Sequence, residues 1–462
     1  METVVPFRAW RYRHEQADDL ERLISPPYDV IGPELQSHLY ARSPHNVVRI
    51  DLGITTPTDN ENDNQYTRAA SQLAEWKTSG VLTRDPEPTL TFVEESFTGP
   101  DGHPRKRHGF LALIRLHEYG QDVVFPHEYT LSGPKEDRFR LMLATQMSLS
   151  PVFLLYDLPE DEITTAWQAG PGRNDPQAMF IDPDGGPNPT TIRLWRTAEP
   201  DLLGLVRRLL AGGKFIIADG HHRYETALRY QSHRRQSNTD KIHSGEITHE
   251  AKPGAPAYDY ALAYFSNIAD PGLAIYGTHR LVAGLDPALI TALPKKLPPT
   301  FTVQRLSPTG SQITGAAAAE AIFSYLKANP KGAFGLWGPT LDGAYGFRLA
   351  DIKAVRAAVP EHSAAYQELD VTILQALVLE GQLGITAGDL AAETHVTYFK
   401  EPGPAFAQLE QGEFQAGFFM NPTHLDQIHE VALSGERMPQ KATFFYPKLP
   451  TGLVFHDLSG GL

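Results

Sequence analysis

The hydrophobic positions of this chain fall into short runs that alternate between strand and helix spacing. Continuous apolar runs rich in β-branched residues predict strands, whereas apolar positions repeated every three or four residues predict helices. Strands are expected at 46–52, 90–97, 110–116, 150–157, 215–218, 260–267, 273–276, 301–306, 333–337, 345–349 and 415–420. Helices are expected at 66–77, 201–210, from 222 onward, and at 316–327, 364–382 and 425–433, with a closing hairpin after the last. This alternation predicts an α/β fold with mixed sheets.

One strand-to-helix junction carries an unusual set of polar residues. The apolar run 215–218 predicts a buried strand, and a helix follows with Tyr224 on its apolar face. The start of a helix offers backbone amides and a positive dipole end, which suit an anion and above all a phosphate. The alternative is a cap, a turn and a polar helix start without a ligand. The residues at this junction are Asp219, Gly220, His221, His222 and Arg223.

A second polar group follows the apolar run that ends at residue 126. His127 and Glu128 lack the second histidine of a zinc-binding H-E-x-x-H helix, so a zinc site is not expected there. A glutamate beside a histidine can act as a general base, or it can be a surface pair. Further on, Lys135 and Arg138 either face a phosphate or solvate a loop.

Three further stretches place charged side chains next to predicted turns. Tyr28 and Asp29 follow two prolines and form either a rigid turn or a pocket wall. His279 and Arg280 follow a predicted strand, where they either reach the same anion or cap a neighbouring helix. In the tail, Arg437 and Lys441 flank a Met-Pro turn and can clamp a carboxylate or a phosphate, while the aromatic residues nearby suit a core.

Composition narrows the class of protein. The 462 residues contain no cysteine, which excludes disulfides and thiolate chemistry and fits a cytoplasmic protein. The formal net charge of −14 argues against general nucleic-acid binding, because an acidic surface repels phosphates. No apolar run is long enough for a membrane span, and the start of the sequence has no secretory signal.

The length predicts two or three domains. Prolines near 294–299 favour a boundary that divides the chain into residues 1–290 and residues 291–462. The first part is expected to carry loop insertions at 170–190 and 236–256, the second of which is the best candidate for a mobile lid or a disordered insert.

Beyond these patterns, the sequence resembles a bacterial and archaeal family known as domain of unknown function 1015. The resemblance covers nearly the whole chain and departs at Ala442, where members often carry serine. The motifs that carry it are Pro26-Pro27-Tyr28-Asp29-Val30-Ile31, His127-Glu128-Tyr129-Thr130, Asp137-Arg138, the run 219–228, Asp270-Pro271-Gly272-Leu273, Thr278-His279-Arg280, Leu369-Asp370-Val371 and Gly435-Glu436-Arg437-Met438-Pro439-Gln440-Lys441.

The run Asp219-Gly220-His221-His222-Arg223-Tyr224 is also similar to the nucleotide-binding turn of the ParB/sulfiredoxin superfamily. That resemblance implies a ParB/sulfiredoxin-like N-terminal part, joined to a C-terminal α/β domain. His221 stands where sulfiredoxins have their cysteine, so sulfinic-acid reduction is excluded. The superfamily includes free serine kinases, and the acidic charge argues against its DNA-binding ParB branch.

The resemblance therefore implies a kinase that transfers phosphate from ATP or ADP to a small hydroxyl metabolite such as L-serine. Mg²⁺ is expected, with Asp219 or Asp29 as its ligand. Alternatives are a nucleotide-binding regulatory protein without turnover, and a phosphohydrolase with His221 or His222 as nucleophile. The expected catalytic residues are Glu128, His127 and His221; the nucleotide contacts are Asp219, Gly220, His222, Arg223, Arg138, Lys135, His279 and Arg280; the substrate contacts are Tyr28, Asp29, Arg437 and Lys441.

Overall fold

A computed structural model describes residues 2–13, 20–99, 101–130, 132–170, 173–182, 184, 189–243, 255–308 and 313–462. The chain divides into two compact units. Unit 1 comprises Met1–Pro126, Thr130–Ala274 and Tyr446–Leu462, and unit 2 comprises His127–Tyr129 and Ile275–Phe445. The division into domains 1–290 and 291–462 stays a prediction about separately folding parts.

Unit 1 is built on a mixed sheet. The strands of unit 1 are β1 Val4–Val5, β2 Trp10–Tyr12, β3 Leu82–Arg84, β4 Leu90–Thr98, β5 Pro104–Arg115, β6 Val124–Pro126, β7 Met147–Ser148, β8 Val152–Tyr156, β9 Ala178–Asp182, β10 Thr190–Thr197, β11 Phe215–Asp219, β12 Tyr260–Asn267 and β21 His456–Asp457. Two pairs, β2–β3 and β7–β21, form small sheets of their own. The large sheet has the order β6-β11-β8-β12-β5-β4-β10-β9, with β1 also paired to β5. The pairs β6–β11 and β8–β12 are parallel, and the other pairs of this sheet are antiparallel.

Helices accompany this sheet along the chain of unit 1. They are α1 Leu20–Leu23, α2 Pro33–Arg42, α3 Val48–Asp51, α4 Gln65–Thr78, α5 Ser132–Thr145, α6 Glu162–Ala169, α7 Pro200–Leu209 and α8 His221–His243, with 3-10 turns at Tyr28–Val30 and Ala257–Asp259. The core combines side chains of the central strands with the inner faces of α6, α7 and α8, including Phe110, Phe215, Phe265 and Trp167. Burial of these apolar side chains is the main force that holds β11 and α8 in place.

Unit 2 has its own antiparallel sheet, in the order β15-β17-β16-β19-β14-β18. These strands are β14 His279–Val282, β15 Phe301–Arg305, β16 Ala333–Trp337, β17 Tyr345–Leu349, β18 Val396–Phe399 and β19 Ala416–Met420. Its helices are α9 Pro287–Lys296, α10 Gly315–Ala328, α11 Lys353–Ala358, α12 Ala364–Gln367, α13 Asp370–Leu374, α14 Ala387–Ala391, α15 Pro402–Glu410 and α16 Leu425–Leu433. Its core packs α10 and α15 on this sheet. The chain changes unit on either side of His127–Tyr129, and again within β13 Ala274–Tyr276 and β20 Phe444–Tyr446.

The mixed α/β class is confirmed, and most expected strands and helices are present. The expected strand 46–52 is wrong, because α3 occupies this stretch. The cause is Asn46: its side-chain Oδ1 accepts from Val48 N at 3.0 Å and opens the helix. Its Nδ2 donates to Arg22 O and Ile24 O, both at 2.8 Å, so tertiary contacts override the β-branched composition.

The single helix expected at 364–382 is also wrong. The chain forms α12, breaks at Leu369 in an extended conformation, and resumes as α13 and a π-helical segment, Gln375–Glu380. Just after the break, the Asp370 carboxylate accepts a hydrogen bond from Gly332 N at 2.8 Å. This anchor to a neighbouring turn fixes the point of interruption.

Both expected loop insertions contain regular structure. Strand β9 lies within 170–190, and α8 continues through 236–243, where Asn238 Nδ2 donates to Tyr258 Oη at 3.1 Å. Residues 171–172, 183, 185–188 and 244–254 of these insertions lie outside the described residues, and so does most of the expected lid. The closing hairpin is wrong, because β21 pairs antiparallel with β7. Across the described ranges, the helices lack the combination of length and apolar character needed to cross a bilayer.

Candidate functional site

The junction between β11 and α8 in unit 1 has the local structure expected from the sequence. Residues 215–218 are buried in the sheet, and the register shifts between Ile217 and Asp219, where the strand ends. Helix α8 packs through the face expected from helical spacing. The side chains of this face are buried: Tyr224, Ala227, Leu228 and Gln231. The Tyr224 hydroxyl accepts from His117 N at 3.0 Å and donates to His117 O at 2.9 Å, which anchors the first turn.

Gly220 is the turn residue, and this position requires glycine for two reasons, its backbone angle and the space beside it. Its φ of +87° lies in the left-handed region that other residues avoid. A Cβ atom at this position would stand 2.8 Å from Arg223 Nε and 2.9 Å from Arg223 Cζ, since this guanidinium folds back over the glycine. The glycine therefore allows the arginine of the first helical turn to return to the end of the strand.

An ion cluster occupies the end of β11. Arg223 Nη2 donates to Asp219 Oδ2 at 2.5 Å, Arg223 Nη1 donates to Pro151 O, and Lys448 Nζ donates to Asp219 Oδ1. Burial by itself would raise the pKa of Asp219, but Lys448 and Arg223 lower it well below the usual range of a carboxyl group. Asp219 is therefore ionised, and it holds two cations at the N-terminal end of α8.

The two histidines of the junction belong to the same first turn. The first intrahelical bond runs from Tyr224 N to Gly220 O at 3.0 Å, so the amides of residues 221–223 precede the hydrogen-bond ladder of α8. His221 is buried and His222 is half-buried. Together with the cations, this arrangement places positive charge and helix-start amides in one corner of unit 1, which is the chemistry that an anion requires.

An open cleft of about 570 Å³ runs along another face of α8. Glu225 and Arg229 line it, and they share a face with His221 because the three are spaced by four residues. Opposite them, Lys135 Nζ donates to Glu225 Oε2 at 2.9 Å, and Arg229 Nη1 donates to Glu136 Oε2 at 2.7 Å. The volume lies within the usual range for small-molecule pockets.

Arg138 lies in the interior of unit 1 between two carboxylates. It donates to Asp51 O at 2.7 Å, to Asp51 Oδ1 at 3.1 Å, and from two nitrogens to Asp137 Oδ2 at 2.6 and 2.8 Å. Its guanidinium also lies 4.1 Å from the centre of the Tyr28 ring. Burial raises the pKa of Tyr28 to about 12, with Asp29 adding to the shift. Tyr28, Arg138 and Arg223 line one cavity, so the fold brings together three predicted site residues that are distant in sequence.

His127 and Glu128 belong to unit 2, where both contact Thr443. The Thr443 hydroxyl is 2.8 Å from His127 Nε2 and donates to Glu128 Oε1 at 3.1 Å, while Thr443 N donates to the same oxygen at 3.1 Å. The His127 side chain is completely buried. Glu128 thus already accepts a hydrogen bond from a hydroxyl group.

His279 and Arg280 do not end a strand; they begin β14, so their side chains point to opposite faces of the sheet of unit 2. His279 packs between the rings of Phe323 and Phe419, at 5.6 and 5.2 Å between centroids, and burial lowers its pKa to about 3. It is therefore neutral. Burial lowers the pKa of Arg280 to about 10, and its Nη2 donates to Lys441 O at 3.2 Å.

The remaining predicted contacts lie at the surface or are partly covered. Asp29 and Lys441 are exposed. The Arg437 guanidinium lies 5.4 Å from the centre of the Tyr129 ring, within unit 2. Two residues with direct roles in unit 1 were missed: Lys448, a third cation of the tail, and Asp51, inside a stretch interpreted as a strand. Neither has a sequence signal of its own, since each acquires its role through a partner distant in the chain.

The expected Mg²⁺ does not fit Asp219, because both of its carboxylate oxygens already bind cationic side chains. Asp29, the other predicted ligand, is an exposed carboxylate in a short 3-10 turn. Within the part of the chain that the structure describes, no three His, Asp or Glu side chains are grouped so as to hold a metal ion. We therefore assign no metal to this junction.

Comparison with known proteins gives distant structural likenesses. A free serine kinase variant in complex with AMP is 13% identical, with coverage of 75% of this chain and 91% of that one and a TM-score of 0.35. A conserved hypothetical protein from Pyrococcus furiosus is 14% identical, with coverage of 74% and 97% and a TM-score of 0.32. SbnI from Staphylococcus aureus, truncated at its C-terminus, is 10% identical, with coverage of 76% and 84% and a TM-score of 0.31. Likenesses at this distance carry no argument about what the chain binds.

Among proteins of curated function, no match was found. A family model does match, over residues 4–372 of the 462. The matched segment contains the motif run 219–228 and the motifs around Tyr28, His127 and His279. The chain therefore belongs to the family described as protein of unknown function (DUF1015).

Proposed function

We propose that the β11–α8 junction of unit 1 binds the phosphates of a nucleotide, ATP or ADP. The observation that carries this proposal is the return of Arg223 over Gly220 to Asp219, at the start of a long helix. A helix N-terminus favours phosphate through its amides and its dipole, and a guanidinium adds two parallel donors. Asp219 keeps Arg223 and Lys448 in place before the ligand arrives, which reduces the entropy lost on binding.

The open cleft along α8 supplies room for the rest of a nucleotide. Glu225 and Arg229 line it, and helical spacing places them on the same face of α8 as His221. The ion pairs Lys135–Glu225 and Arg229–Glu136 neutralise the acidic side chains that would otherwise repel phosphate. The similarity of the 219–224 run to the ParB/sulfiredoxin nucleotide turn supports the same assignment.

The finer proposal is phosphoryl transfer to the hydroxyl group of a small metabolite such as L-serine. Such a reaction depends mainly on positioning and on neutralisation of charge, for which Arg223, Lys448 and His222 are our assigned groups. A base must also accept the proton of the attacking hydroxyl. Glu128, assisted by His127, is the candidate that the sequence offers for this role; within unit 2, Glu128 accepts a hydrogen bond from the Thr443 hydroxyl.

Calorimetric titration of the full chain with ADP and with ATP tests the binding step. We expect binding by the native protein, and affinity at least tenfold weaker in Arg223→Gln, since a charge-assisted hydrogen bond contributes about 1.5–3 kcal/mol. The control is Arg207→Gln, which changes an arginine on α7 whose guanidinium contacts Glu2. Equal affinity in the two variants contradicts the assignment.

Mass spectrometry of reactions with ATP or ADP and a panel of hydroxylated metabolites then tests phosphoryl transfer. A phosphorylated product that disappears in Glu128→Gln supports the kinase. Nucleotide binding without any product supports a regulatory, non-catalytic role instead, and a phosphohistidine trapped on the protein supports a hydrolase.

A further inference from the structure

A second pocket of unit 1 has a volume of about 300 Å³, and its described lining residues all differ from those of the β11–α8 junction. One wall is the small sheet β2–β3, which contributes Arg11 and Thr83, a directly opposed cross-strand pair. Another wall is the β9–β10 end of the large sheet, which contributes Leu194 and Arg196. These two side chains lie on the same face of β10, because they are two residues apart. The volume is at the lower end of the usual range for small-molecule pockets.

Two arginines of this pocket share a single carboxylate. Arg11 Nε donates to Asp85 Oδ1 at 2.9 Å and Arg11 Nη2 donates to Asp85 Oδ2 at 2.6 Å, while Arg196 Nη1 donates to Asp85 Oδ1 at 3.1 Å. The Thr89 hydroxyl also donates to Asp85 Oδ2, at 2.9 Å, and the Asp85 side chain is 1% exposed. One buried negative charge therefore faces two positive charges, so the arginine pair keeps a surplus of one.

This surplus comes with accessible donors. Over the residues that the structure describes, neither Arg11 Nη1 nor Arg196 Nη2 has a hydrogen-bond partner. The Arg11 side chain is 18% exposed and the Arg196 side chain is 44% exposed, so solvent or a ligand can reach both. Burial lowers the pKa of Arg11 more than Asp85 raises it, and Arg196 lowers it further. An anion bound between the two guanidinium groups would oppose that shift.

A third arginine contributes less to the field inside the pocket. Arg13 lines the pocket too, but it is an exposed residue. Water and salt screen the charge of such a side chain. The charge that an enclosed ligand meets is therefore mainly that of Arg11 and Arg196, reduced by Asp85.

Much of the remaining wall is apolar. Its apolar side chains are Tyr12, Leu20, Ala178, Leu194 and Leu453. The Tyr12 hydroxyl donates to His45 O at 2.8 Å, so this polar group is already satisfied within the protein. An apolar wall beside a few polar groups of fixed position is the usual composition of a small-molecule site. It suits a ligand with an anionic group at one end and a hydrocarbon body at the other.

The charge balance favours a carboxylate as the anionic group. A carboxylate carries one negative charge, which equals the surplus of the arginine pair, whereas a phosphate group carries about −1.5 to −2 at neutral pH. Its two oxygens also match guanidinium donors through parallel hydrogen bonds.

We propose that this pocket binds a small carboxylic acid with an aliphatic or aromatic body. The carboxylate accepts from Arg11 Nη1 and Arg196 Nη2, and the hydrocarbon body packs on the apolar wall that includes Leu194 and Leu453. The site assigns a second ligand to the chain, and it does not depend on the proposed function at the β11–α8 junction.

Calorimetric titration of the full chain with butyrate, hexanoate and 3-phenylpropionate tests the pocket. Three comparison ligands separate its features: 3-phenylpropionamide lacks the negative charge, acetate lacks the hydrocarbon body, and inorganic phosphate replaces the carboxylate. We expect at least one of the three acids to bind tenfold or more tightly than each comparison ligand. Absence of binding by all three acids overturns the proposal. Equal binding of the amide means an apolar pocket without charge recognition, and equal binding of phosphate means a general anion site; each also overturns it.

Arg196→Gln tests the arginine pair, and the same strand offers a matched control. Arg193 lies on the opposite face of β10, where its Nη1 donates to Glu94 Oε1 at 3.1 Å. Arg196→Gln should weaken acid binding at least tenfold, whereas Arg193→Gln should bind like the native protein. Because Arg11 still pairs with Asp85, Arg196→Gln should keep its thermal midpoint without ligand and lose the rise that the acid gives the native protein. Unchanged acid affinity in Arg196→Gln, or an equal loss in both variants, contradicts the assignment.

Competition with nucleotide separates this site from the β11–α8 junction. Saturating ADP should leave the affinity for the acid unchanged, because the two sites have different lining residues. Displacement of the acid by ADP would place both ligands at one site and would overturn the separate pocket. Acid binding in a protein that does not bind ADP would leave this pocket standing and remove the nucleotide assignment.

Discussion

Replacement of Gly220 by alanine tests whether the turn that lets Arg223 fold back is needed for phosphate binding. A non-glycine residue in the left-handed region costs about 1–2 kcal/mol of folding free energy. The added Cβ would also stand 2.8 Å from Arg223 Nε, so the guanidinium must move away from Asp219. If one charge-assisted hydrogen bond to phosphate is lost, affinity falls about ten- to a hundredfold.

Gly212 provides a matched control in the same unit. Its φ is +68°, and an added Cβ would meet no atom within 4 Å. Gly212→Ala should therefore lose a similar 1–2 kcal/mol in chemical denaturation, yet bind ADP like the native protein. Gly220→Ala should lose both stability and affinity. Equal ADP affinity in the two variants would refute the reasoning, because Arg223 would then have no part in phosphate binding.

Three other outcomes follow from the interior charges. Arg138→Gln leaves two carboxylates without their cation and should lower the free energy of unfolding in chemical denaturation by about 3–5 kcal/mol. Burial alone would lower the pKa of His108, but Asp270 and Glu94 raise it to about 9. This contribution to stability is complete below pH 6.5 and is lost as the pH rises through 9, and His108→Gln should flatten that fall in denaturation experiments. NMR of His279, whose pKa burial lowers to about 3, should show a neutral ring from pH 8 down to pH 5.

Local pattern was enough to predict the candidate junction. The buried run 215–218, the glycine and the inner face of α8 are encoded in consecutive residues, so periodicity and turn chemistry predict them together. The same applies to β16, β17 and α16, whose bounds match the expected ones. Short helices and strands whose ends are marked by local sequence signals depend little on contacts with distant parts of the chain.

Elements that depend on distant contacts could not be predicted in this way. The Val-Val-Arg-Ile run at 47–50 has strand composition, yet the chain forms α3 there, next to the contacts of Asn46 with residues 22 and 24. Lys448 becomes part of the junction because the last segment of the chain packs in unit 1. Asp51 matters because Arg138 and the cavity lie beside it. Such roles arise from tertiary packing, which a single sequence does not display.

A crystal structure of the full chain with ADP tests the central claim most directly. The account predicts the β-phosphate within hydrogen-bonding distance of the Arg223 guanidinium and the amides of residues 221–223. A nucleotide bound elsewhere, with no anion at the start of α8, would contradict it.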